Sequence, residues 1–160
     1  MKTSLLTLIT VLLLGVTRAH AHGGVELGPN GGRLLEFSEN ETLHGEVTLT
    51  NSFFHVALLD KDMKPVELKE QSLTVTGGDR QKPEKPEVRK VGNHFVFPAL
   101  KGDDYLLVLQ FKDKPSARPV TARFEYDAAT CSGCKQAEWL CKCADEKAEK
   151  DDKHDHDKKK

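Results

Sequence analysis

All four cysteines of the chain fall in its last thirty residues, as Cys131-Ser132-Gly133-Cys134 and, after a six-residue spacer, Cys141-Lys142-Cys143. Four soft sulfurs this close can hold a thiophilic metal ion, close into two disulfides or supply a redox-active pair. All-thiolate zinc sites use cysteines roughly two to four residues apart, because the loop between them must aim two sulfurs at one ion. Cys131 and Cys134 fit that spacing, and the tighter Cys141–Cys143 pair is less usual. Copper(I) also favours thiolates. An oxidising compartment would instead favour disulfides that tie down the end of a small domain. The C-x-x-C does not precede a βαβ pattern, which argues against a thioredoxin-like role.

The spacer limits these options. Lys135 to Leu140 contains good helix formers. A continuous helix would separate Cys134 and Cys141 by roughly 10 Å along its axis, beyond the roughly 7 Å between Cα atoms that a disulfide spans. Either the spacer folds back as a loop, with Trp139 packing over the site or on the rest of the protein, or the two cysteine pairs act separately.

Two histidine-bearing segments are further candidates. Cleavage after Ala21 would make His22 the first residue, and its free amine and ring nitrogen could chelate copper(II) together with His44, His55 or His94. His55 alternates with Phe53 and Ala57 and reads equally as a hydrogen-bonded, partly buried strand residue. His154 and His156, beside Asp155 and Asp157, can collect divalent ions weakly or belong to a solvated charge run. No Gly-x-Ser-x-Gly elbow, phosphate-binding glycine loop or His-Glu-x-x-His helix occurs, so no catalytic residues are expected and the chain does not read as an enzyme.

The start of the chain bears on the redox question. Lys2, the apolar run from Leu5 to Val16 and the small-x-small Ala19-His20-Ala21 have the form of a signal peptide over residues 1–21. The apolar run is shorter than the roughly twenty residues a bilayer span requires, so no membrane span is expected. No cysteine at the cleavage site could carry a lipid, and the product is expected in the periplasm or secreted. Asn40-Glu41-Thr42 matches the N-glycosylation pattern. A formal charge of −1, with no basic stripe interleaved with aromatics, excludes nucleic acid as an expected partner.

The elements that would position these residues are strands. Val47 and Leu49 alternate with Thr48 and Thr50, Leu73 and Val75 with Thr74 and Thr76, and Val120, Ala122, Phe124 and Tyr126 with Thr121, Arg123 and Glu125. Such alternation gives each strand one wet and one dry face. Phe53 to Leu59 and Tyr105 to Phe111 are apolar at nearly every position, as in central strands. Asp60 to Pro65 and Gly77-Gly78-Asp79 mark turns, and Pro83 to Pro86 a stiff polar connection. The spacing predicts an all-β, immunoglobulin-like β-sandwich of about seven to nine strands. Phe54, Val56, Leu58, Val75, Phe97, Val108 and Phe124 are expected in its core. Tyr105, after Gly102-Asp103-Asp104, reads either as a corner tyrosine or as an ordinary strand residue. The organisation is then a flexible segment over 22–32, the sandwich over 33–127, a Cys-rich segment over 128–143 and a charged, disordered tail over 144–160, whose composition has too little to bury.

The run Gly28-Pro29-Asn30-Gly31-Gly32-Arg33-Leu34-Leu35-Glu36, the strand-turn-strand Val56 to Glu67 and Thr74-Val75-Thr76-Gly77-Gly78 resemble the N-terminal β-domain of periplasmic adaptors of heavy-metal efflux pumps. That likeness covers about the front two thirds of the chain. Over nearly its whole length after residue 21, the chain is similar to small exported proteins of unassigned function that begin with a histidine-containing stretch and end in a C-x-x-C…C-x-C segment. The 160 residues contain no counterpart of the long helical hairpin and lipoyl-like segments of the adaptors. The resemblance implies a periplasmic β-domain concerned with metals, with metal-efflux envelope proteins as partners. The expectation is a zinc- or copper-binding protein for metal buffering or delivery to an efflux system. The rival expectation is a disulfide-stapled envelope interaction module.

Overall fold

Alternation of apolar and polar residues resolves into antiparallel strands throughout. The computed structural model describes residues 25–143. The strands are β1 (Arg33–Glu36), β2 (Leu43–Thr50), β3 (Phe53–Asp60), β4 (Pro65–Val66), β5 (Ser72–Gly78), β6 (Pro83–Glu84), β7 (Arg89–Val91), β8 (His94–Pro98), β9 (Asp104–Lys112) and β10 (Val120–Asp127). They form two sheets, one in the order β1-β2-β3-β8-β7 with β4 also on β3, the other in the order β10-β9-β5-β6. This is a β-sandwich. Two of the ten strands are two-residue pieces, and β6 lies within the expected polar connection, where Pro83 and Glu84 pair with Gly78 and Gly77.

Register decides which residues meet in the middle. Val47 faces Val56, Val56 faces Phe95 and Phe54 faces Phe97, so one phase of the first sheet is apolar across three strands. In the second sheet Leu73 faces Phe111, Val75 faces Leu109 and Leu109 faces Ala122. These two faces pack together, and Phe37 stacks on Phe111 across the interface with ring centroids 4.7 Å apart. Phe54, Val56, Leu58, Val75, Phe97 and Phe124 are buried as expected. Val108 is not: Tyr105, Leu107, Leu109 and Phe111 are the inward phase of β9, and Val108 lies opposite Thr76 and Arg123 on the outer face.

Turn chemistry fixes the registers. Asn51 and Ser52, both at positive φ, make the two-residue loop between β2 and β3, the geometry that follows strand twist. Asp60 Oδ1 accepts the Asp62 and Lys64 N–H groups and closes the turn after β3. The Tyr105 hydroxyl accepts the Leu100 N–H at 3.2 Å, so Tyr105 acts as a corner tyrosine.

The glycine-rich run ahead of β1 has a specific task. Gly28 N–H donates to Gly32 O at 2.8 Å and Gly31 N–H to Gly28 O at 3.0 Å, making a turn within the segment read above as a flexible lead-in. Beneath it the Glu46 carboxylate, 1% exposed, accepts the Asn30 N–H, the Asn30 side-chain amide and the Gly32 N–H at 2.7, 2.7 and 3.0 Å. A Cβ at Gly28 would lie 2.5 Å from the Glu46 carboxyl carbon, and one at Gly32 2.5 Å from Val47 O. Only glycine lets the backbone come this close to the carboxylate.

Candidate metal centre

The Cys-rich segment doubles back at the end of β10. Cys131 N–H donates to Gln136 O at 2.8 Å, Lys135 N–H donates to Cys131 O at 3.0 Å, and Thr130 bridges Ala137. Lys135 takes a left-handed conformation, φ 64°, which turns the chain immediately after Cys134. The spacer is therefore a loop, closed by a single 3-10 turn at Glu138–Leu140.

Trp139 settles where that loop sits. It is 5% exposed and belongs to the sandwich core, with ring centroids 6.0 Å from Phe54, 5.8 Å from Phe124 and 5.8 Å from Tyr126. The Arg33 guanidinium donates to Trp139 O at 2.9 Å and lies 5.5 Å from the Phe124 ring centroid. Glu138 N–H donates to Ala129 O at 2.8 Å. The segment is thus docked on the sandwich against Arg33 of β1 and Phe124 and Tyr126 of β10. Of the two placements considered for Trp139, the structure adopts packing on the sandwich.

With the loop folded back, the Sγ atoms of Cys131, Cys134, Cys141 and Cys143 all lie within 4.8 Å of one another. Cys131 and Cys141 are 3.2 Å apart, and Cys134 and Cys141 3.6 Å. Sulfurs at tetrahedral corners around zinc, at a Zn–S distance of about 2.3 Å, would be about 3.8 Å apart. All four are free cysteines. The donor set, its count and its spacing suit one thiophilic ion.

The Cys143 N–H donates to Cys141 Sγ at 3.3 Å. The Cys134 amide, the Cys141 thiol and the Gly133 amide, in that order, bring the Cys131 thiol down to about 7. For Cys141 the Cys143 amide acts downward, but the Cys131 thiol beside it and burial outweigh it and hold the group up. Cys143 is likewise held up: Cys141 lowers it, and Cys134, burial and Cys131 together outweigh that. One thiolate forms readily and opposes ionisation of its neighbours, the situation a cation in their midst relieves. Gly133 lies against the sulfurs, and a Cβ there would be 3.2 Å from Cys143 Sγ.

The other candidates do not join this cluster. His22, His154 and His156 lie outside the described residues. His44, on β2, is buried with Nδ1 2.5 Å from Glu36 Oε1, a close contact without hydrogen-bond alignment. His55 and His94 sit on the outer face of β3 and β8 with ring centroids 6.1 Å apart. Among the described residues the four cysteines are the only group of three or more His, Cys, Asp or Glu able to share an ion. Sequence reasoning did not find Arg33 or Glu46. Neither signals itself, since a charged residue in a strand ordinarily marks the solvent face.

No helix among the described residues is long and apolar enough to cross a membrane. Comparison with protein-family models, curated proteins and solved structures finds no match to this chain.

Proposed function

We propose that the protein is exported to the periplasm and there binds one thiophilic transition-metal ion, zinc or copper(I), on Cys131, Cys134, Cys141 and Cys143, without enzymatic activity. It would buffer the ion or deliver it to an efflux system. The observation that carries the reading is the convergence of all four sulfurs within 4.8 Å. The Cys143 amide on Cys141 Sγ supports it, since an N–H group aimed at sulfur favours the thiolate. The signal-like residues 1–21 and the resemblance to efflux adaptors support the compartment and the partner.

The test is elemental analysis beside a free-thiol count on protein purified anaerobically from the envelope and reconstituted with zinc or copper(I). One ion per chain with four thiols recovered on chelation is the expected result. Two disulfides in the isolated protein, with no metal uptake after reduction, would overturn the reading and leave the cysteines as staples of an interaction module.

A further inference from the structure

The four sulfurs are not equivalent. Cys131 and Cys141 are 7% and 6% exposed, and Cys141 Sγ accepts the Cys143 N–H at 3.3 Å. Cys134 is exposed and Cys143 half-buried, and none of the described backbone N–H groups donates to either. An amide on a thiolate lowers its electron density and its nucleophilicity, and burial shields it from reagents. The cluster therefore has two buried ligands, one half-buried ligand, Cys143, and one exposed ligand, Cys134. Ser132, Gly133, Lys135 and Gln136 around Cys134 are all exposed, and so is Lys142. Lys135, whose ammonium donates to Ser132 O at 2.9 Å, puts a cation on this side, which draws in anionic groups.

We propose that this site, on the reading of it given above, hands its ion to a thiolate-bearing acceptor by ligand exchange at Cys134, while Cys131 and Cys141 hold the ion until the acceptor has engaged. In the first step one metal–sulfur bond forms to the acceptor thiolate and the bond to Cys134 breaks. The oxidation state of the ion is unchanged. Where the acceptor enters as a thiol, its proton passes to the departing Cys134 sulfur. Cys143 is next to leave. The acceptor class is a dithiol able to replace both outer ligands, rather than a small monothiol that can replace only one.

Two measurements test this on the zinc-loaded full chain. Limiting N-ethylmaleimide followed by peptide mapping should label Cys134 at least tenfold faster than Cys131 or Cys141, with Cys143 between them. Equal labelling of all four, or earlier labelling of Cys131 or Cys141, overturns the proposal. Native mass spectrometry with a short Cys-x-x-Cys peptide should trap a protein–zinc–peptide species that a monothiol at equal sulfur concentration does not give. Cys134→Ser should retain zinc and raise the yield of that species, whereas Cys131→Ser should lose zinc. The reverse pattern overturns the proposal, as does a monothiol that removes the ion as fast as the dithiol. Failure of the metal reading itself would show separately, as zinc-free wild-type protein before any thiol is added.

Discussion

Replacing Trp139 by Ala tests whether the Cys-rich segment and the sandwich are one cooperative unit. The indole is 5% exposed and touches Phe54, Phe124 and Tyr126. A buried aromatic of about 150–250 Å² at about 25 cal/mol per Å² contributes about 4–6 kcal/mol. Truncations of this kind cost about 3–5 kcal/mol where the cavity only partly collapses. A loss of about 4 kcal/mol is expected for Trp139→Ala, a large part of the stability of a domain this size. Urea unfolding followed by far-ultraviolet circular dichroism is the assay, because the substitution removes the chain's single tryptophan. A second reading comes from metal. Zinc at about a thousand times its Kd should stabilise the wild type by about 4 kcal/mol if site and sandwich unfold together. In Trp139→Ala that increment should largely vanish. A loss under about 1 kcal/mol, or a zinc increment equal to that of the wild type, would refute the docking argument.

Other substitutions probe single features. Gly133→Ala places a Cβ 3.2 Å from Cys143 Sγ, and an overpacking cost of about 1–3 kcal/mol should weaken zinc binding roughly 5- to 150-fold in a competition titration. Glu46→Ala leaves three N–H groups under the glycine turn without their acceptor and should cost about 3–5 kcal/mol in urea unfolding. Burial raises Tyr105 to about 12, and burial together with Asp103 raises Tyr126. Both phenols are protonated in either state below about pH 10; between 10 and 12 the unfolded chain ionises first, so stability falls as pH rises. Phenolate absorbance should therefore show late midpoints that move to about 10 in urea, and Tyr105→Phe should lessen the alkaline loss. Deleting residues 144–160 should move the thermal midpoint by no more than about 3 °C, because that sequence carries almost no apolar side chains to bury.

The sandwich was legible wherever a strand alternates. In β5 and β10 the polar residues name the wet face, and the buried set followed directly. In β9 every position from Tyr105 to Leu109 is apolar, so the period-two signal disappears. Its phase is set by neighbours: Val108 faces Thr76 and Arg123, whereas Leu109 faces Val75 and Ala122. Val108 was misplaced because that choice belongs to register, which the single strand does not encode. The cysteine site was legible as a cluster from its spacing alone. Its attachment was not, because Trp139 and Arg33 meet across 106 positions of sequence. The role of the glycine run was hidden for a similar reason, since its partner Glu46 lies in the polar phase of β2.

The attachment bears on why the sulfurs are where they are. A disulfide stabilises chiefly by restricting the unfolded chain, and for a loop of about fifteen residues that is about 3 kcal/mol. Here the segment is already fixed by Trp139 in the core, by Arg33 on its carbonyl and by the Glu138 amide on Ala129. Two staples would add little order to it. Staples also require sulfurs to meet in pairs, and nothing about pairing would bring two separate bridges onto one point. All four Sγ atoms nevertheless converge, and the Cys143 N–H donates to Cys141 Sγ. An amide aimed at sulfur does nothing for a disulfide of ordinary polarity, but it stabilises a thiolate that is otherwise crowded by three neighbours. A common centre of positive charge, as proposed, would account for both features at once, and Gly133 lies beside it, where a Cβ would come 3.2 Å from Cys143 Sγ.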